Sequence, residues 1–525
     1  MLFKRISGWK TNGLPADFTL PAISASSSGV GAEKATSQTV AADQGDAAAQ
    51  TDLGDRYYHG KGVTVDYAEA VRYYRLAASL GDARAQLKLG MCYEDGDGVP
   101  MDHAEAARYY KLAADQGNAE AQYCLALCHH NGQGVPVNLV EAVKYYKLAA
   151  DNGVANAQYN LAVCYQIGEG VSVNFVEAVK YLKLAADQGN GAAQHSLAAC
   201  YTSGGSGVSV NFVEAVKYYK LAADQGEESA HFNLALCYAK GNGVPVNLAE
   251  AAKYYKVAAD QGEKAAQYSL GECYANGQGV PVDLGAAVKY YKLAADQGHI
   301  DAQYNLAVCY GNGRGVSVDY TEAAKYYKLA ADQGEVRSQS NLALCYQLGQ
   351  GVPVDLVAAV KYSQLAADQG EARSQSNLAV FYQTGKGVPV DPVAAVKYYK
   401  LAADQGTAIA QFNLALCYQK GQGVTVDFVE ALKYFQLAAA QGYSRAQFCV
   451  AMCYARGHGV LENHATAVKY YKLAADQGHV DAQYNLAICC NNGLGVPVDH
   501  AEAMKYFKLA AAQGHPQAST LLQRK

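Results

Sequence analysis

Between Ala49 and Ala518 one sequence unit recurs thirteen times, and its spacing departs from 36 residues only once, by a single residue. A unit this short cannot bury its apolar face alone, so each copy must take its interior from its neighbours and the copies must stack.

The unit is clearest from Ala121 to Asn156, "AQYCLALCHHNGQGVPVNLVEAVKYYKLAADNGVAN", and again from Ala302, "AQYNLAVCYGNGRGVSVDYTEAAKYYKLAADQGEVR". Ala121, Leu125, Cys128 and His129 stand at helical spacing, as do Ala302, Leu306, Cys309 and Tyr310; this half reads as a helix A. Gly132 and Gly134 then break the pattern, followed by a valine and often a proline, and the chain must turn. A second helix, helix B, runs through "EAVKYYKLAAD" and stops at a glycine such as Gly153 or Gly334, where a left-handed cap is expected. Its entry has the spacing of a capping box, with Asn138 and Glu141 or Asp319 and Glu322 three residues apart.

Half of the residues are hydrophobic, 17% are charged, and the eleven prolines fall mostly in turns. No alternating run is long enough for a strand. The fold class expected is all-α: an elongated, right-handed α/α superhelical solenoid of helix-turn-helix repeats. Residues 49–517 carry the thirteen units. Residues 32–48 read as a degenerate capping helix, and 518–525 as a partial repeat or cap. Residues 1–31 hold the only tryptophan, Trp9, and are expected to lack fixed structure. Their basic start and Ser26 to Ser28 faintly resemble a transit peptide, but no apolar run has the length of a signal peptide or membrane span.

The unit resembles the Sel1-like repeat, a relative of the tetratricopeptide repeat. The resemblance rests on the "A…LA..Y..G.GV" run of helix A, the double-glycine turn, the "D..EA.KYY..AA.QG" run of helix B and the repeat length. The tetratricopeptide unit is shorter, about 34 residues, and lacks the second glycine. The resemblance implies scaffold and binding roles with widely differing partners. It also brings an alternative: some secreted, cysteine-rich Sel1-like proteins resemble penicillin-binding or β-lactamase hydrolases and carry cysteines that staple helix A to helix B. Helix B has no cysteine here, so neither staple nor activity carries over.

Two aromatic rows are expected to fill the seams. Helix B supplies Tyr74, Tyr110, Tyr146, Tyr219, Tyr255, Tyr291, Tyr327, Tyr399, Phe435, Tyr471 and Phe507; helix A supplies a row including Tyr57, Tyr93, Tyr165, Tyr201, Tyr238, Tyr274 and Tyr310. Small residues such as Ala142, Ala149 and Ala157 let the helices approach. Leu182 and Ser363 interrupt the helix B row, and Ser363 should leave a gap of about 3 kcal/mol unless a neighbour fills it.

Eleven of the fourteen cysteines share one position of helix A, from Cys92 to Cys489, and Phe381 replaces them once. That substitution marks the position as a small buried apolar site rather than a source of disulfides. Cys124, Cys449 and Cys490 fall outside the row; no CxxC occurs, and His129 with His130 is an isolated pair. No metal or cofactor is expected, and free thiols point to a reducing compartment, the cytoplasm.

The net charge is −5, and helix B lysines such as Lys325 and Lys328 are offset by Glu322 and Asp332. No basic stripe emerges from the sequence, and the repeats vary too little for a base-reading code, so nucleic acid is not expected. The best binding candidates form another row: Asn160, Asn233, Asn305, Asn341, Asn377, Asn413 and Asn485, at one position of helix A. By resemblance to tetratricopeptide groove positions they would face a partner, where an amide can both donate to and accept from an extended peptide. The other reading is that they bond to the adjacent helix. One residue earlier stand Tyr123, Tyr159, Tyr268, Tyr304, Tyr484, Phe232, Phe412 and Phe448, with Ser340 and Ser376 in two consecutive copies. Of these, Tyr304, Phe412 and Tyr484 join the asparagines as candidate contacts; otherwise the rings pack between repeats.

Repetition argues against catalysis, because an active site is one asymmetric constellation. An isolated site would have to lie at an irregular copy, such as "TSGGSGV" or the turn holding Gly457, His458 and His464. The expectation is a non-enzymatic scaffold for proteins or extended peptides, without direct membrane insertion and with its oligomeric state left open.

Overall fold

The computed structural model describes residues 42–204 and 208–523. Paired helices run from Ala47–His59 with Tyr67–Ser79 to Val480–Asn492 with His500–Ala512, and a last helix spans Pro516–Gln523. Among the described residues there is no β-strand. The described residues fall into two compact units, up to Ala230 and from His231 on. Within each, successive helices pack on one another as a row of hairpins, the α-solenoid arrangement.

One hairpin explains the rest. Helix A, Ala119–Asn131, starts where Asn118 Oδ1 accepts the Ala121 amide at 2.9 Å and ends at Gly132, whose φ of 73° only glycine adopts cheaply. Helix B, Leu139–Asp151, is capped by Asn138 Oδ1, which accepts the Glu141 amide at 3.1 Å. The expected capping box forms only by half. The Asn138 amide already donates to the His129 carbonyl at 2.8 Å, so the Glu141 carboxylate has no donor to return to and pairs with Lys144 at 2.9 Å. Asp319, Glu322 and Lys325 repeat this pattern. Helix B ends as expected, with Gly153 and Gly334 at φ of 91° and 92°.

The second glycine of the turn serves the stack. A Cβ on Gly134 would lie 1.9 Å from the His103 carbonyl oxygen of the preceding hairpin, and one on Gly423 would lie 2.0 Å from that of Pro392. Any larger residue would push neighbouring hairpins apart.

Tyr110, Tyr146, Tyr399 and Phe435 of the helix B row are fully enclosed. The helix A tyrosines stack on a second helix B ring: Tyr93 on Tyr109 at 5.8 Å, Tyr274 on Tyr290 at 5.8 Å and Tyr382 on Tyr398 at 5.9 Å, with Lys397 over the Tyr398 ring. Ser363 is 2% exposed and its row continues by substitution. Tyr327, Tyr399 and Tyr471 each adjoin the cysteine of the following hairpin, Cys345, Cys417 and Cys489. At the hairpin after Ser363 that cysteine is replaced by Phe381, 3% exposed, so a large ring stands at the position that faces Ser363's in the regular hairpins.

A row not foreseen from the sequence also ties the hairpins together. Gln86, Gln122, Gln158, Gln303, Gln375 and Gln483 on helix A are buried, although glutamine usually stays at the surface. Each side-chain amide donates to a carbonyl near the end of the previous helix B, as Gln158 does to Ala150 at 3.1 Å and Gln303 to Ala295 at 3.1 Å. Each Oε1 accepts from the residue that ends its own helix B, as from Gln188 and Gln333, both at 2.8 Å. The row thus gives a second hydrogen bond to carbonyls at a helix end that already accept a glycine amide, and carries that bond from one hairpin to the next. His231 stands at this position once, and its Nδ1 has no hydrogen-bond partner among the described residues.

Residues 1–31 and most of 32–48 lie outside the described residues. Ala42 is buried and its carbonyl accepts the Gln50 side-chain amide at 2.9 Å; at the other end Ala518 is buried.

Candidate functional site

Helix A presents one stripe that the seams enclose only in part. Arg373, Asn377, Val380 and Thr384 follow at four, three and four residues, so helical winding sets them on one face. Helices Val336–Leu348, Ala408–Lys420 and Ser444–Arg456 place Arg337, Asn341 and Leu344; Ile409, Asn413, Leu416 and Lys420; and Arg445, Cys449, Met452 and Arg456 in the same register.

The asparagine row is mostly half-buried, with Asn160 the most enclosed at 7% exposure. Asn160 adjoins the phenols of Tyr123 and Tyr146, and Asn341 that of Tyr327. Asn305 adjoins Tyr268 and donates to Glu272 at 2.9 Å. These three lean on the preceding hairpin. Asn233 is half-buried. Asn377, Asn413 and Asn485 are also half-buried, and their side chains make no hydrogen bond among the described residues.

The neighbouring rings pack between the helix B of their own hairpin and the start of the next helix A. Tyr304 lies 6.2 Å from Tyr327 and beneath the Arg337 guanidinium at 4.0 Å. Phe412 meets Phe435 at 5.7 Å and Tyr443 at 5.2 Å, and Tyr484 meets Phe507 at 5.8 Å and His515 at 4.2 Å. All three keep partial exposure. Ser340 and Ser376, which replace such rings, are buried.

Charge is distributed differently on the two helices. Some helix B cations are paired, Lys325 with Glu322 at 2.9 Å and Lys433 with Glu430 at 3.0 Å. On helix A, Arg373, Lys420, Arg445 and Arg456 are exposed and have no ion pair among the described residues; Arg337 pairs with Asp301 and Glu335. Exposed cations without an ion pair among the described residues therefore stand on helix A as well as helix B. Those on helix A sit at two register positions, which hid the alignment.

The cysteine row is inert as chemistry. All fourteen thiols are free, and burial pushes those of Cys92, Cys128 and Cys164 up to about 12. A thiol so protonated is a poor nucleophile. Among the described residues no group of three His, Cys, Asp or Glu side chains could hold a metal, and no helix is long and apolar enough to cross a membrane. Of the two irregular copies, His464 pairs with Glu462 at 2.7 Å, and residues 205–207 of the glycine insertion lie outside the described residues.

The Sel1 repeat family model matches thirteen consecutive segments, from 47–82 through 480–515. Among solved structures, the chain is similar to c5321, a protective antigen present in uropathogenic Escherichia coli strains displaying an SLR fold. That match has 31% identity and a TM-score of 0.72, covering 86% of this chain and 97% of that one. It is also similar to a Sel1 repeat protein from Oxalobacter formigenes, at 32% identity and a TM-score of 0.49, covering 59% of this chain and 89% of that one. No curated relative matches the sequence. With its repeats matched from end to end and this fold, the chain belongs to the Sel1 repeat family.

Proposed function

We propose that the protein is a non-enzymatic scaffold that holds extended protein segments along its helix A stripe. The observation that carries this reading is the state of Asn377 and Asn413: half exposed, on consecutive hairpins, with amides that no described residue uses. An amide in that state can meet either a donor or an acceptor of a partner backbone without demanding a particular side chain. Half-exposed aliphatic residues beside them, Val380 and Leu416, supply apolar area to the same partner. Thirteen near-equivalent units offer extent rather than one reactive pocket, which suits binding better than catalysis.

The test is capture of partners by the full chain and by an Asn377→Ala, Asn413→Ala double variant, with helicity checked by circular dichroism. Loss of capture at unchanged helicity is the expected result. Equal capture would remove the asparagine row from the binding face.

A further inference from the structure

We propose that the helix A stripe from Val336 to Arg456 selects an acidic partner segment. This rests on the scaffold reading above and names the partner chemistry of one part of it.

The segments 336–351, 372–387, 408–423 and 444–459, each a helix A with its glycine turn, hold Arg337, Arg373, Lys386, Lys420, Arg445 and Arg456 and no aspartate or glutamate. This local excess of cations stands in a chain whose net charge is −5. Elsewhere helix A carries acids: Asp52 and Asp55, Glu94 and Asp95, Glu120, Glu272 and Asp481.

Two further observations bear on how these cations are held. Several helix B cations have a carboxylate three or four residues away and pair with it, as Lys144, Lys180, Lys217, Lys256 and Lys325 do, while Lys361, Lys397 and Lys469 have none there. Arg373, Lys420, Arg445 and Arg456 have no such partner among the described residues. Arg373 and Arg445 stand in the first turn of their helices, where the macrodipole disfavours a cation, whereas Lys420 and Arg456 stand in the last turn, where it favours one. The nearby carboxylate of Glu371 is engaged in capping its helix, accepting from the amides of Arg373 and Ser374.

Between the cations lie Leu344, Val380, Leu416 and Met452, partly exposed, and the asparagines Asn341, Asn377 and Asn413. A segment that fits this face carries carboxylates interspersed with aliphatic side chains on an extended backbone. Carboxylates meet guanidinium groups with two parallel hydrogen bonds, which gives such a partner both charge and geometry to recognise. A nucleic acid would meet the cations but would leave the aliphatic row without a counterpart.

The test uses the full chain and fluorescence anisotropy with three probes: a peptide of alternating glutamate and leucine, the same peptide with glutamine for glutamate, and a mixed-sequence single-stranded RNA. The acidic peptide is expected to bind at least about tenfold more tightly than the neutral one, and to weaken as salt rises. Combined reversal of Arg373→Glu, Lys420→Glu, Arg445→Glu and Arg456→Glu should abolish that preference. Matched reversal of four helix B lysines, Lys361→Glu, Lys397→Glu, Lys469→Glu and Lys505→Glu, should leave it in place. Equal binding of both peptides, lost in the Asn377→Ala, Asn413→Ala variant, overturns the acidic preference and keeps the scaffold reading. Binding of neither peptide overturns the acidic preference, and the capture experiment then judges the scaffold reading alone. RNA bound more tightly than the acidic peptide, and lost on helix A reversal, overturns the proposal in favour of nucleic acid.

Discussion

Gln441 donates its side-chain amide to Oε1 of Gln411 at 2.9 Å, and Gln411 donates in turn to the Ala403 carbonyl of the preceding helix B at 3.1 Å. One side chain therefore joins the end of its own hairpin to the end of the one before. Gln411→Leu keeps the approximate shape and removes both bonds. Since Ala403 and Gln441 each keep another partner, the Gly406 amide and the Gly406 carbonyl, the expected loss is about 1 kcal/mol in urea unfolding. Asn413→Ala, two residues away but outside the seam, should change stability by less than about 0.5 kcal/mol. Equal effects of the two substitutions would contradict the division between a seam row and a binding row.

The pairing of Ser363 with Phe381 makes a second, quantitative expectation. Each interrupts its row, both are buried, and their positions face one another across a seam in the regular hairpins. Ser363→Tyr should overpack against Phe381 and cost about 1–3 kcal/mol. Phe381→Cys should leave a cavity and cost about 2–4 kcal/mol. Together they restore the arrangement of Tyr399 with Cys417, so the double variant should be more stable than the sum by at least about 1 kcal/mol. Additive losses in chemical denaturation would show that the two sites do not share one space.

Two helix caps make stability depend on pH. His299 Nδ1 accepts the Ala302 amide and His479 Nδ1 accepts the Ala482 amide, both at 3.3 Å, and an imidazole can accept there only when that nitrogen is unprotonated. Their rings stack on Tyr268 and Phe448. Burial lowers both pKa values from 6.5; Asp301 and Glu263 oppose this at His299 while Lys264 adds to it, and Asp481 opposes it at His479 while Arg445 adds to it. The folded state thus holds its proton less tightly than the unfolded chain. The contribution is fully present above pH 6.5 and is lost as pH falls through the lowered folded values. Replacing both by asparagine, the cap used at Asn118 and Asn190, should flatten the melting temperature between about pH 7 and pH 5. An unchanged slope would show that other groups carry the acid dependence.

The hairpin period, the glycine caps, the aromatic rows and the cysteine row are legible in the sequence because local geometry or seam packing allows few residue types there. The buried glutamines are not, since hydropathy places glutamine at the surface and their burial depends on a carbonyl in another hairpin. Half of the binding stripe is visible as a row of asparagines. Its cations are not, because Arg373 and Lys420 occupy different positions of the repeat and align only when the helix is wound and its neighbours stacked. The capping box was legible in spacing yet formed by half, as Glu141 met Lys144 once Asn138 had bonded to His129.

Two exposed aliphatic rows let the central claim be tested directly. Leu344, Val380, Leu416 and Met452 lie on the helix A stripe, and Leu329, Leu365, Leu401 and Leu437 lie on helix B with about the exposure of Val380. Hydroxyl-radical footprinting of the full chain with and without a captured partner compares them in one sample. Protection of the helix A row with the helix B row unchanged is the predicted result; protection of the helix B row alone would place partners on the other face and contradict the account.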